Sequence, residues 1–299
     1  MNSCTNNLIK VNLNSINEKE KENFKNDGFI ILKDLISKEQ ADYLFERSKQ
    51  LFHGKCDKGI YPDEQYWKPN LSRDDVTREI VNCWKTDSVM AQLVLSEQLG
   101  AIACELLECD SVRVAQDDIF WKPVQGKPIN FHQDIPYFNF FKPSKVVTIW
   151  IALNDVSLEN GTLEFAKGSH KWNHDLFKMN DQFHAPEDYL KGLDGAMKRE
   201  GVDKDQLELV PVTVERGGGS VHGGLLFHGS NKNPSSFNER ISIAIHYIPG
   251  ECEFRDNKPG YIYGRYKIYN SFKLEESFFP IVYSRNGYRS ECIKDYCTI

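Results

Sequence analysis

Short runs rich in Val, Ile, Thr, Phe and Trp recur from Val112 to about residue 250: "SVRVAQDDIFWKP", "VVTIWIALNDV", "GTLEFAKGSH", "LELVPVTVERGGGSVHGGLLFHG" and "RISIAIHYIPG". β-Branched and aromatic side chains suit a pleated, half-buried surface, so these runs predict strands. The residues before them read differently. A helix is expected over 15–26, broken by Gly28 and followed by a strand at Phe29–Leu32. A second helix opens at Ser37, a good N-cap with Gln40 as its reciprocal partner. Its apolar residues Ala41, Leu44, Phe45 and Leu51 fall near helical spacing. Residues 52–79 read as an extended loop punctuated by Tyr61, Tyr66 and Trp67, of a size that fits a lid. Residues 88–107 are helical, with Gly100 as a weak point, and another helix is expected over 186–200.

Helices first and then many strands predict a mainly β domain with flanking helices. No internal repeat or long linker divides the chain. Residues 1–17 are expected to form a flexible lead-in, and 18–299 a single domain with a helical part (18–110) and a strand-rich core (111–250).

The charge balance, 37 Lys+Arg against 43 Asp+Glu for a net −6, argues against a strongly basic nucleic-acid binder. No run approaches the roughly 20 apolar residues of a membrane span. The polar opening has no secretory apolar region, so a cytoplasmic location is expected. The eight cysteines are scattered without a CxxC, and reduced structural thiols are expected.

The chemistry concentrates in "INFHQDIPYFNF". His132 and Asp134 are two apart, which on a strand puts both on one face. One more imidazole would complete the two-histidine, one-carboxylate set that suits ferrous iron and leaves coordination positions open. His222 and His228, in "GGGSVHGGLLFHGSNKN", compete for that role. Their even separation permits one face of a continuous strand, unless Gly223–Gly224 bulges or turns the chain. Arg240, in "NERISIAIHYIP", could hold a carboxylate bidentately, and Ser242 on the same strand face could add a hydroxyl. Taken singly, an HxD pair, a strand histidine or an arginine is commonly structural; the ordered combination is not. Tyr137 and Phe138 could wall a substrate pocket or serve as core. The glycines of "GGGSVHGG" lack phosphate-loop spacing and are expected to serve turns or close packing.

The segments "NDGFIILKDLIS", "VAQDDIFWKP", "INFHQD", "VTIWIALNDVSLENGTLEFAKGSHKW" and "LLFHGSNKNPSSFNERISIAIHYIP" together resemble the phytanoyl-CoA dioxygenase family of iron(II)/2-oxoglutarate oxygenases, from about residue 24 to 250. The resemblance implies a double-stranded β-helix (a cupin-like jelly roll) for residues 111–250. It implies His132, Asp134 and His228 as iron(II) ligands, with His222 left behind the ligands or facing substrate, and Arg240 as the receiver of the distal carboxylate of 2-oxoglutarate. Lys122, Thr148, Trp150, Gln116 and Asn130 are implied as further lining of the co-substrate site. Asp134 fills the ligand position that is vacant in halogenating members, which argues against halogenation.

The implied activity is hydroxylation of a small organic molecule, with dioxygen consumed and succinate and CO2 released. The partners are then substrate and dioxygen, with no nucleic acid or membrane, in a monomer or homodimer. Desaturation, epoxidation or oxidative cyclisation would use the same ligands, and a non-catalytic protein retaining the fold is the alternative from another class.

Overall fold

The computed structural model describes residues 9–13, 15–172, 183–255 and 262–298. Residues 1–8 and 14 of the expected lead-in lie outside the described residues, as does the stretch 173–182. The first helix is Glu18–Asp27, started by a capping box between Asn17 and Glu20 and ended by Gly28 at φ 88°. A Cβ at Gly28 would lie 2.8 Å from Leu226 Cδ1, so close packing and left-handed backbone both require glycine there. Helix Lys38–Phe52 carries the expected Ser37/Gln40 box and buries Ala41, Leu44, Ser48, Leu51 and Phe52 on one face.

The expected helix over 88–107 is two helices, Ser88–Val94 and Glu97–Leu107, because Asp87 and Ser96 each supply an N-cap. Gly100 sits inside the second, where a Cβ would come within 2.9 Å of Val282 and Tyr283. Taken as one stretch, Ser88–Leu107 is long and apolar enough to cross a membrane by length and composition, as a buried core helix also can be; in the fold 72% of its window is buried, as core. Lys191–Glu200 is shorter at its start than expected and ends on Gly201 in the left-handed region. The expected loop 52–79 contributes strand Glu64–Gln65, which pairs with Arg78–Val81.

The major sheet has eight strands. Its order is Phe29–Leu32, Gly219–Gly223, Val147–Ala152, Arg240–Pro249, Ser111–Lys122, Arg78–Val81 and Glu64–Gln65, with Ile281–Ser284 also pairing onto Ser111–Lys122. A minor sheet orders Ile129–His132, His228–Ser230, Glu164–Ala166 and Leu209–Pro211. Side chains alternate across the major sheet. Ile241, Ile243, Ile245 and Tyr247, with Ile149 and Ile151, join Leu44, Leu51 and the 88–107 helices in the largest apolar cluster. The residues between them, Arg240, Ala244, His246, Thr148 and Trp150, line a cavity on the opposite face.

The expectation of a mainly β jelly roll is corrected by this arrangement. Helix and strand take similar shares of the described residues, and the sheets are open. No strand ladder joins the major and minor sheets among the described residues. The minor sheet keeps its own four-strand pairing, and helices cover the outer face of the major sheet. The seven described cysteines are free thiols.

Candidate metal centre and co-substrate pocket

His132 and His228 are direct partners in the minor sheet, which sets their rings 4.2 Å apart. The strand stops at His132; Asp134 has φ −74° and ψ −38° and precedes the short helical turn Ile135–Phe138. The HxD pair therefore converges through a turn, where a shared strand face was expected. Nε2 of His132 and of His228 lie 3.6 and 3.3 Å from Asp134 Oδ1. One ligand atom from each of the three residues falls within 4.8 Å of the others, and all three residues are buried.

The surroundings determine which nitrogens face inward. His132 Nδ1 lies 2.8 Å from the Asn130 carbonyl, and His228 Nδ1 2.9 Å from the Leu226 carbonyl. A carbonyl only accepts, so both Nδ1 atoms carry a proton and each ring turns its Nε2 towards Asp134. Burial alone would raise the Asp134 pKa, but His228, His132 and His222 around it hold the carboxyl well below its usual range. Burial, and then His228, lowers that of His132. Two imidazole Nε2 atoms and a carboxylate oxygen thus converge in one buried place, as the ligands of a bound cation would. The donor set thus fits iron(II), held by His132, Asp134 and His228 with N,O ligation.

His222 and His228 do not share a strand. His222 belongs to the major sheet and His228 to the minor one, and the chain crosses between them through a turn in which Leu226 N–H donates to Gly223 O. His222 lines the cavity with its Nε2 3.3 Å from Asp134 Oδ2, and neither ring nitrogen makes a hydrogen bond among the described residues. Burial, and then His228, pushes its pKa down to about 4.

Arg240 is 2% exposed and has no carboxylate partner among the described residues. Its Nη atoms donate to Ser242 Oγ at 2.8 Å, Gly161 O at 3.2 Å and Ser230 Oγ at 3.3 Å, and its guanidinium carbon lies 5.9 Å from the centre of the Trp150 ring. Burial brings its pKa down to about 10. An uncompensated guanidinium lining the same cavity as the triad suits the free carboxylate of 2-oxoglutarate.

Of the other residues named from sequence, Gln116, Thr148, Trp150, Tyr137 and Phe138 line the cavity. Lys122, Ser242 and Asn130 do not. Lys122 donates from behind to Ser230 Oγ at 2.5 Å and to the Asn231 carbonyl; burial, and then Arg240, pushes its pKa well down. Asn130 acts through its backbone carbonyl on His132. Sequence reasoning missed Ser230, two residues after His228 on one strand, although the period of two could have found it. It also missed His246 and Asp118, which the same alternation places on the cavity side. Phe183, edge-on at 4.7 Å from the His132 ring, lies in a polar part of the sequence and left no local signal.

The phytanoyl-CoA dioxygenase (PhyH) family model matches residues 24–242. The peroxisomal phytanoyl-CoA dioxygenase of Bos taurus is 23% identical over 304 residues, covering 95% of this chain and 81% of that protein. Among solved structures, the non-heme alpha ketoglutarate dependent epimerase SnoN from nogalamycin biosynthesis superposes with a TM-score of 0.67 at 18% identity, over 89% of this chain and 97% of that one. EctD from S. alaskensis with 2-oxoglutarate and 5-hydroxyectoine superposes with a TM-score of 0.63 at 20% identity, over 87% of each chain. These structures share the fold, and the family match spans the minor sheet, most strands of the major sheet and all three metal-binding residues. A non-haem iron(II)- and 2-oxoglutarate-dependent oxidative enzyme is what this geometry serves, and the chain belongs to the phytanoyl-CoA dioxygenase family.

Proposed function

We propose that the chain hydroxylates a compact organic molecule, coupling this to conversion of 2-oxoglutarate and dioxygen into succinate and CO2. The observation that carries the reading is one cavity of about 490 Å³ that contains the triad, Arg240 and an aromatic wall of Tyr137, Phe138 and Phe183. Iron bound by the triad would supply the activation of dioxygen and the oxidising power. The chain's own residues do the rest. Arg240 and Ser230 bind and register the co-substrate, with Lys122 holding Ser230 from outside the cavity. Tyr137 and Phe183, 5.7 Å apart and both against His132, present an apolar surface to a C–H bond and limit water.

Arg240 is the one Lys or Arg side chain lining this cavity among the described residues, and the co-substrate carboxylate takes it. That supports a substrate without a polyphosphate group in the pocket, and speaks against an acyl-CoA. The likeness to an epimerase fold gives a second reading, in which hydrogen is abstracted and no hydroxyl is inserted.

The test is succinate release with iron(II), 2-oxoglutarate and oxygen across a metabolite panel, followed by mass analysis of the product. A gain of one oxygen atom by a small substrate is expected. A product that is an isomer of its substrate, or has lost two hydrogens, replaces hydroxylation by the second reading. Turnover confined to acyl-CoA thioesters overturns the substrate class.

A further inference from the structure

We propose that Thr148, His246 and Asp118 form a buried positioning chain that holds one oxygen of Asp134 away from the metal and leaves the other as the ligand. The inference rests on the assignment of His132, Asp134 and His228 as the metal-binding set. The two oxygens of Asp134 have different surroundings. Oδ1 faces the Nε2 atoms of His132 and His228. Oδ2 accepts the Thr148 hydroxyl at 2.5 Å, with His222 Nε2 at 3.3 Å and His246 Nδ1 at 3.6 Å.

A hydroxyl has one proton, and Thr148 gives it to Asp134. The 2.8 Å contact between Thr148 Oγ1 and His246 Nδ1 must then be donated by the histidine. His246 Nε2 lies 2.9 Å from Asp118 Oδ2. Whether the proton in that contact sits on the ring or on the carboxyl, Nδ1–H still points at Thr148, so the direction of the chain does not depend on it. Gln116 Nε2 donates to both Asp118 oxygens at 2.7 and 2.8 Å, and Tyr263 OH donates to Gln116 Oε1. Asp118 therefore cannot swing away without breaking two further bonds.

Strand register builds the chain. His222, Thr148, His246 and Gln116 are successive partners across four adjacent strands, so their side chains form one row on the cavity face. Asp118 is two residues from Gln116 on the same strand. Thr148, Asp118 and Tyr263 are at most 2% exposed and His246 7%, so water does not compete for these bonds. A carboxylate free to rotate would offer both oxygens to a metal and take a coordination position that the co-substrate and dioxygen need. The hydroxyl of Thr148 removes that option.

The test uses the full-length chain with Thr148→Val, which keeps the shape and removes the hydroxyl, and Thr148→Ser, which restores it. Cobalt(II) affinity is read by calorimetry, and the charge-transfer band of the anaerobic iron(II)–2-oxoglutarate complex by absorption. Outer partners of metal ligands are typically worth ~10–100-fold in metal affinity. Thr148→Val is expected to weaken cobalt(II) binding within that range and to shift the band, with wild-type circular dichroism; Thr148→Ser is expected to return both to wild type. Asp118→Asn, one bond further out, is expected to weaken binding by a smaller factor. Wild-type affinity and an unshifted band in Thr148→Val overturn the proposal. If Thr148→Val does not fold, wild-type values in Asp118→Asn overturn it instead. Wild-type protein that binds no divalent metal, with His132→Ala indistinguishable from it, would refute the metal assignment itself, a different result from either.

Discussion

Lys122 and Arg240 face each other in register on adjacent antiparallel strands, and both donate to the single hydroxyl of Ser230. Two buried basic groups share one neutral oxygen, and each has its pKa lowered, by burial in both cases and also by Arg240 in the case of Lys122. An incoming carboxylate relieves this. Arg240→Ala is expected to raise the half-saturating concentration of 2-oxoglutarate by ~30-fold or more, corresponding to about 2 kcal/mol or more for a truncated buried charge pair. Lys122→Met is expected to raise it less, because Lys122 does not line the cavity. Titration of 2-oxoglutarate against succinate release measures both, and equal values for Arg240→Ala and wild type exclude the role of Arg240.

His132→Ala and Asp134→Ala are each expected to abolish metal-dependent succinate release while the circular dichroism of the fold persists. Metal addition supplies a readout without turnover. A divalent ion at a hundredfold excess over its Kd should stabilise wild type by about 2.7 kcal/mol, and chelator should remove that gain. Thermal unfolding of Asp134→Ala should show no such gain. An equal gain would mean that the ion binds elsewhere.

Arg47 supports the fold far from this chemistry. Its guanidinium Nε donates at 2.5 Å to Asp87, a fully buried carboxylate that also caps Ser88–Val94 through the N–H groups of Val89 and Met90. Arg47→Ala leaves that charge unpaired, and urea unfolding should register a loss of about 3 kcal/mol. A loss below about 1 kcal/mol, the range of exposed pairs, would show that water replaces the guanidinium.

The glycine run divides into positions that require glycine and positions that do not. A Cβ at Gly219 would lie 2.0 Å from the Trp150 carbonyl, and one at Gly217, where φ is 89°, 2.3 Å from the Ile36 carbonyl. At Gly223 the nearest atom is 3.6 Å away. Gly219→Ala is expected to cost about 3 kcal/mol or to prevent folding, and Gly223→Ala to stay within about 1 kcal/mol of wild type, by the same unfolding assay. The reverse order would contradict the close approach of Gly219–Gly223 to Val147–Ala152.

Local chemistry in the sequence determined a good deal: the two helix starts at Asn17 and Ser37, the strands around the site, the HxD pair, and an arginine on the cavity side of a strand. These follow from capping and from a period of two, which act over a few residues. The resemblance selected His228, but the residues alone left His222 equal to it. Tertiary structure separates them, because the chain leaves one sheet and enters the other between Gly223 and His228, so the two rings reach different oxygens of Asp134. The open sheets, the balance of helix and strand, and the row joining Asp134 to Thr148, His246 and Asp118 were likewise decided by pairing between segments far apart in sequence, Phe29 with His222 among them. Register and sheet order depend on which distant strands bury their faces together, and no local pattern carries that information.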